Sequence, residues 1–394
     1  MKSNKEARVE ELLTRGSEEV IEKDHLRGEL ASGRKLRVKF GIDPTSPYLH
    51  LGHSVPLRKL RQFQELGHQV ILLIGDFTAK IGDPSGRSET RPMLTDSDIR
   101  KNMKTYKKQA GLILDMKKVE VRYNSEWYAK KGVAFLFELS SKFTVARILE
   151  RDDFKKRLKE DVDISMLETL YPLLQGYDSV ALEADVEIGG TDQKFNLLMG
   201  RKVQKRYGKK EQDVMTVPLL EGLDGTHKMS KSLGNFVGLT DDAESMYGKI
   251  MSLPDILIVK YFTLLTEISI VEIETMQKAM RAGAMNPRDA KMLLARSIVT
   301  LYHSAKAAGE AEQAFVRMFQ KHEAPEKMPT ARLAGKKLTD ALAESGLATS
   351  KTDARRNLEQ NAVRVNDTVV TDGEYVVRSG DVIQKGKRHF VKAE

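Results

Sequence analysis

Two histidines three positions apart, His50 and His53, flank Gly52 and follow Asp43 and Thr45; two lysines with the same spacing, Lys228 and Lys231, stand far downstream in the run Lys228-Met229-Ser230-Lys231-Ser232. Cations and N–H donors of this kind gather around phosphate oxygens. The first group follows an apolar run at 36–42 and precedes Leu57, Leu60, Phe63 and Leu66 at helical spacing, with Gly67 as a stop. It therefore lies at a strand–turn–helix junction. A helix N-terminus there offers unpaired N–H groups and a positive dipole end to an anion. Residues three apart share one side of the first turn, so both imidazoles can face one anion. Gly52 leaves room for a flat ligand against the backbone. The competing reading of the histidines, a zinc pair, lacks a third ligand or a glutamate at suitable spacing.

Three more clusters carry polar groups into the same argument. Tyr171, Gln175 and Asp178 fall at i, i+4 and i+7, one stripe of a helix amid Leu173, Leu174 and Val180. Such a stripe is either buried around a polar ligand or turned to solvent. The segment Gly75 to Arg87, dense in Gly, Asp and Pro and carrying Asp83, is a turn expected to line the same cleft. Gly189-Gly190-Thr191-Asp192-Gln193 follows a strand-like run and permits close backbone approach at its glycines. The lysine pair lies in a loop bounded by Gly222, Gly225 and Gly234, which predicts a segment able to move.

These residues need a scaffold that brings them together. Strand-like runs at 36–42, 70–74, 118–123, 184–188 and 214–220 alternate with helical patterns, which predicts a parallel sheet with ligands at the carboxyl ends of its strands. Residues 1–34 read as short helices on Val9, Leu12, Leu13, Val20, Ile21, Leu26 and Leu30. The chain of 394 residues is 40% hydrophobic and 31% charged, an ordinary globular composition with room for two or three domains. The absence of cysteine excludes disulfides, thiolate catalysis and cysteine-based zinc sites. No apolar run approaches a membrane span and no secretory signal is visible, so the expected location is the cytoplasm. The net charge of +9 suits a polyanionic partner such as RNA.

His50-Leu51-Gly52-His53 resembles the "HIGH" signature of class I aminoacyl-tRNA synthetases, with Leu for Ile, and Lys228 to Ser232 reads as their "KMSKS" loop. The segment around Asp83, the spacing of Tyr171, Gln175 and Asp178, and the Gly190-Thr191-Asp192-Gln193 element resemble the bacterial tyrosyl enzymes within that class. The resemblance implies activation of L-tyrosine by ATP, with Mg²⁺ accompanying the nucleotide and no tightly bound protein metal, followed by transfer to the 3′-terminal adenosine of tRNA(Tyr). His50, His53, Lys228 and Lys231 would be catalytic. Asp43, Thr45, Gly52, Gly190, Asp192, Met229, Ser230 and Ser232 would join them around ATP. Gly41, Asp83, Tyr171, Gln175, Asp178 and Gln193 would bind tyrosine, with Asp178 at the phenol. One position departs: many tyrosyl enzymes place a second phenol partner, a tyrosine, where this chain has Lys39. A tryptophan-specific class I enzyme and a non-catalytic RNA-binding paralogue remain as alternatives.

The implied architecture is α/β: a Rossmann-like catalytic domain at 1–238 with an insertion near 112–165 that builds a homodimer contact, an α-helical domain at 239–323, a linker at 324–337, and a small α+β domain at 338–394. In the last, Ser350-Lys351, Ala354-Arg355-Arg356 and Val363 to Asn366 resemble the S4 RNA-binding domain. Lys351, Arg355, Arg356, Lys387 and Arg388 are the expected RNA contacts, although a solvated charged face gives the same pattern.

Overall fold

The structure, a computed structural model, describes residues 4–85, 93–319, 328–386 and 389–394. The chain separates into two compact units, 1–302 and 303–394. Helices from Ala243 to Tyr302 thus share a unit with the large sheet.

That sheet has six strands: β1 (Glu19–Ile21), β2 (Arg37–Ile42), β3 (Gln69–Ile74), β4 (Val119–Tyr123), β5 (Val186–Gly190) and β6 (Asp213–Val217), in the order β1-β6-β5-β2-β3-β4. All neighbours are parallel except β1, which runs antiparallel along β6. β3 and β6 are buried along almost their whole length because helices cover both faces of a parallel sheet, and β3 is apolar throughout after Gln69. In chain order the sheet grows from β2 through β3 to β4 on one side and through β5 to β6 on the other. The strand order therefore reverses between β2 and β5, and the crevice beyond their carboxyl ends is the place such a sheet leaves for a ligand.

β1 corrects the helical reading of Val20 and Ile21. Three residues are too few to show a period, and two β-branched side chains serve a strand that β6 completes through the pairs Glu19 with Thr216 and Ile21 with Val214.

Two helices carry much of the crevice wall. Leu51–Glu65 follows β2 and buries Val55, Leu57, Leu60 and Phe63. Met166–Ala181 is started by Ser165, whose hydroxyl and the Glu168 carboxylate cap one another's N–H groups. It packs tightly on the helix Lys194–Arg206: a Cβ added at Gly176 would stand 2.6 Å from Val203, so only glycine allows this approach.

The second unit contains the helix Ala305–Phe319 and a five-stranded sheet ordered β7-β11-β10-β8-β9, from β7 (Thr330–Ala331), β8 (Val363–Val365), β9 (Thr368–Val369), β10 (Val382–Lys385) and β11 (His389–Ala393). Leu338–Glu344 and Lys351–Glu359 pack on it, closing a core of Leu338, Leu342, Leu358, Val363, Ile383 and Val391. Part of the segment read as a linker up to 337 is structured, since β7 pairs with β11 and Leu333 joins this core. Asn361 ends the second helix with φ 55°, the left-handed conformation that asparagine tolerates.

Candidate active site

The crevice between β2 and β5 is a cleft of about 740 Å³. His50 is the N-cap of the Leu51–Glu65 helix: its Nδ1 accepts from the Gly52 N–H at 3.2 Å, and the His53 Nδ1 accepts from the His50 N–H at 3.2 Å. The two rings sit with centroids 4.0 Å apart. An imidazole whose Nδ1 accepts carries its proton on Nε2, so each histidine presents an Nε2–H donor. Burial, reinforced by His53 and Lys228, pushes His50 down to about 2; burial and Lys228 push His53 down to about 4. At neutral pH both are uncharged donors, which narrows the sequence reading of cationic or donor groups to donors alone.

Backbone pairing brings the second motif to the first. Leu51 N–H donates to Val237 O at 3.0 Å and Leu239 N–H to Leu49 O at 3.0 Å, so the chain leaving the lysine loop zips onto the histidine segment. Within the loop, Asn235 accepts from the Ser230 N–H at 2.8 Å and donates to Asp224 at 2.7 Å, closing the turn. Met229 is buried; Lys231 stands 4.4 Å over the Tyr48 ring, and Lys228 pairs with Asp192 at 2.5 Å. Ser230 and Ser232 share a hydrogen bond at 2.8 Å.

The floor of the cleft is a buried polar network. Asp43 accepts from the Thr78 hydroxyl at 2.8 Å and the Tyr171 hydroxyl at 3.0 Å. A Cβ at Gly75 would lie 2.0 Å from that carboxylate, so glycine is what lets Asp43 in. Asp178 accepts from Trp127 Nε1 at 3.0 Å and Asn124 Nδ2 at 3.3 Å. Burial pushes the Asp178 carboxyl up to about 6, against the charge of Lys39 and these hydrogen bonds. Asp83 accepts from Gln193 at 2.6 Å, from the Ser85 hydroxyl at 2.7 Å and from Asn196 at 3.3 Å. The buried Arg151 braces this group by donating to Asn196 and Ser85, each at 2.7 Å.

Every residue expected around ATP or the amino acid lines this one cleft: the histidine segment with Gly41, Asp43 and Thr45, the stripe Tyr171, Gln175 and Asp178, then Asp83, the group Gly190, Asp192 and Gln193, and the loop Lys228 to Ser232. The polar stripe on the Met166–Ala181 helix turns inward, with Tyr171 and Asp178 buried and Gln175 partly buried, rather than facing solvent. Sequence reading missed Thr78, Asn124, Trp127, Asn196 and Arg151. Asn124 and Trp127 belong to one short helix, Ser125–Tyr128 with Asn124 at its start, and the others come from separate elements with no shared period. In the second unit Lys351, Arg355 and Arg356 lie on one exposed helix; Lys387 and Arg388 lie outside the described residues.

Among the described residues no group of three His, Asp or Glu could hold a metal ion. The chain can instead surround a phosphate chain with two neutral donors and two lysines, beside a buried pocket ending in a carboxylate.

Residues 31–320 match the family described as "tRNA synthetases class I (W and Y)". The chain belongs to that family. Residues 320–392 match the "Tyrosine--tRNA ligase SYY-like C-terminal domain". Among curated relatives of this synthetase family, the tyrosine–tRNA ligase of Moorella thermoacetica is 50% identical over 394 residues, covering 98% of this chain and 95% of that protein. The tyrosine–tRNA ligase of Thermotoga maritima is 50% identical over 384 residues, 97% of this chain and 96% of its own. Among solved synthetases, the tyrosyl-tRNA synthetase of Archaeoglobus fulgidus complexed with L-tyrosine superposes with TM-score 0.64 at 25% identity over 78% of this chain and 99% of that one. A truncated mitochondrial tyrosyl-tRNA synthetase of Aspergillus nidulans shares the fold, with TM-score 0.67 at 24% identity over 79% of this chain and 94% of that one.

Proposed function

We infer that this chain is a tyrosine–tRNA ligase: it converts L-tyrosine and ATP to tyrosyl-adenylate and pyrophosphate, then passes tyrosine to the 3′-terminal adenosine of tRNA(Tyr). Curated tyrosine ligases about as long as this chain share half of its residues. The observation that carries the choice of amino acid is Asp178, a buried carboxylate at the cleft floor held by Asn124 and Trp127. A phenolic hydroxyl satisfies such a group, whereas phenylalanine and tryptophan bring no hydroxyl and leave a desolvated charge without its partner.

In the first step a tyrosine carboxylate oxygen forms a bond to the α-phosphorus of ATP as the bond to the pyrophosphate oxygen breaks. The nucleophile is already an anion, so no base is needed and the chain contributes position and charge. His50 and His53 donate Nε2–H groups to the phosphoryl oxygens, and Lys228 and Lys231 supply positive charge, with Thr45 as a further donor. Mg²⁺ enters with ATP as part of the substrate, carried by the phosphates. Asp192 takes the ribose, which requires the Lys228 ammonium paired with that carboxylate to turn to the phosphates. Gln193 and Asp83 address the amino acid from one side, Tyr171 and Gln175 from the other. In the second step a hydroxyl of the terminal adenosine attacks the adenylate carbonyl and AMP leaves.

The functional molecule is a homodimer, and its site of action is the cytoplasm. Apolar side chains exposed on and near the insertion support the dimer: Val133, Phe137, Val145, Leu158 and Met166, with Phe137 71% and Met166 76% exposed. No helix among the described residues is long and apolar enough to cross a membrane. The basic helix of the second unit supports tRNA binding there.

Pyrophosphate exchange into ATP without tRNA, driven in turn by tyrosine, phenylalanine and tryptophan, tests the reading. Exchange with tyrosine alone is expected. Exchange driven by tryptophan would reassign the substrate, and silence with all three would leave the RNA-binding paralogue.

A further inference from the structure

Lys39 and Glu187 stand directly opposite one another on β2 and β5, at the place where the strand order of the sheet reverses. Both side chains are buried, and Lys39 Nζ lies 2.9 Å from Glu187 Oε1. The ammonium spends its other two donors on Ser179 Oγ at 2.9 Å and the Gln175 carbonyl at 3.1 Å. Glu187 in turn accepts from Gln175 Nε2 at 3.3 Å, from Ser179 Oγ at 3.1 Å and from Gln212 Nε2 at 2.5 Å. Every donor of the lysine is used.

A buried ion pair of this kind is no more stabilising than apolar side chains of the same volume, and β2 and β5 are otherwise apolar at their buried positions. Its stability contribution does not account for it. What it does locally is to decide which way round Gln175 sits. An ionised Glu187 can only accept, so the amide must turn its NH₂ toward it. The Oε1 of Gln175, a residue that lines the cleft, is then left buried and without a hydrogen-bond partner among the described residues. An unpaired buried acceptor is costly unless a donor arrives, and an ammonium group is the strongest donor an amino acid brings.

We propose that the Lys39–Glu187 pair is the positioning device for the substrate ammonium: it holds the Gln175 amide with its oxygen toward the cleft, and anchors the helix turn 175–179 that carries it. Neither charge touches the substrate. This rests on the tyrosine-activation reading above and adds to it a pair of residues that act through Gln175.

The test uses the full-length protein in two variants. Lys39→Met/Glu187→Gln removes both charges at nearly constant volume and lets the two amides pair either way round. Glu187→Asp keeps the charge, shortens its reach, and carries the test should the double variant fail to fold. Pyrophosphate exchange gives KM for tyrosine and for ATP; inhibition by 3-(4-hydroxyphenyl)propanoate, which keeps the phenol and carboxylate and lacks the ammonium, gives a second constant. We expect KM for tyrosine to rise roughly tenfold, the loss of one charge-assisted hydrogen bond. KM for ATP is expected to move less than about twofold, and in the double variant the inhibition constant of the deaminated analogue is expected to rise several-fold less than KM for tyrosine, its own change reflecting the lost charge of Lys39 near Asp178. Folded variants with unchanged tyrosine KM would overturn the proposal. So would equal losses for tyrosine and the deaminated analogue, which would mark the pair as a general support of the pocket. Wild-type exchange with tyrosine keeps the two readings apart: an active wild type with unmoved variants removes only this inference, and a silent wild type removes the reading beneath it as well.

Discussion

Single residues in this cleft trade stability for recognition. Asp178 has its carboxyl raised from an ordinary 3.8 to about 6 by burial, so ionising it costs the folded protein free energy. That cost is absent below about pH 4, accrues between about 4 and 6, and is fully present above. Asp178→Asn is therefore expected to raise the melting temperature at pH 8, where the shift corresponds to on the order of 1–3 kcal/mol, and to change it little at pH 4. The same variant should lose tyrosine-driven exchange, and wild-type KM for tyrosine should climb as pH falls below about 6. A melting temperature that fell at pH 8 would mean that Asn124 and Trp127 stabilise the carboxylate more than burial penalises it. The histidines show the opposite economy: burial removes their charge and leaves two Nε2–H donors, so protonation of His50 or His53 should leave no inflection in the rate of adenylate formation between pH 5 and 8. His50→Ala should slow that step about 10²-fold with tyrosine KM unchanged, measured by single-turnover kinetics. The residue types and spacing of both histidines were legible in the chain. Their neutrality was not, because it depends on how deeply the N-terminus of the Leu51–Glu65 helix is buried and on a backbone N–H that occupies each Nδ1.

The elements divide according to how local their signal is. β3 was readable because a strand covered on both faces is a continuous apolar run, β4 because Val119 and Val121 alternate with Glu120 and Arg122, and the Met166–Ala181 helix because Tyr171, Gln175 and Asp178 keep a helical interval. β1 was not, since its three residues become a strand only by pairing with β6. Asn124 and Trp127, three apart after β4, reach Asp178, and Thr78, after β3, reaches Asp43; no sequence interval connects the two groups with each other or with the carboxylates they meet. The lysine loop is an intermediate case: its motif is plain, but its placement depends on residues 237–239 pairing with Leu49 and Leu51. That pairing holds the base of the loop while Lys231 stands over the half-exposed Tyr48 ring. A cation–π contact at such a site is worth about 0.5–1 kcal/mol, little enough for ATP to displace. Lys231→Ala should accordingly leave ground-state binding of tyrosine unaltered and slow adenylate formation by about 10²-fold, because the charge is needed where pyrophosphate leaves. A matching loss in tyrosine affinity would place Lys231 in the amino-acid pocket instead.

At the scale of the whole molecule, the proposed function assigns activation and RNA binding to different compact units, so they should be separable by mutation. The Lys351–Glu359 helix presents its cations unequally. Lys351 is held by Asp340 at 2.8 Å and Arg356 by Asp353 at 2.7 Å, while Arg355 makes no ion pair among the described residues. A phosphate must compete with a carboxylate for the first two and with water alone for Arg355. Arg355→Ala is therefore expected to weaken tRNA binding more than Arg356→Ala, each by less than about tenfold, and to lower the slope of log K against log salt by about 0.7–0.9, the share of one neutralised phosphate. Exchange without tRNA should be unaltered in both. Filter binding across a salt series, read beside pyrophosphate exchange, tests this directly. If the slope stays at its wild-type value, the exposed helix is a solvated face, and the RNA contacts must be sought elsewhere on the chain. If exchange falls with binding, the two units are coupled more tightly than their separate cores imply.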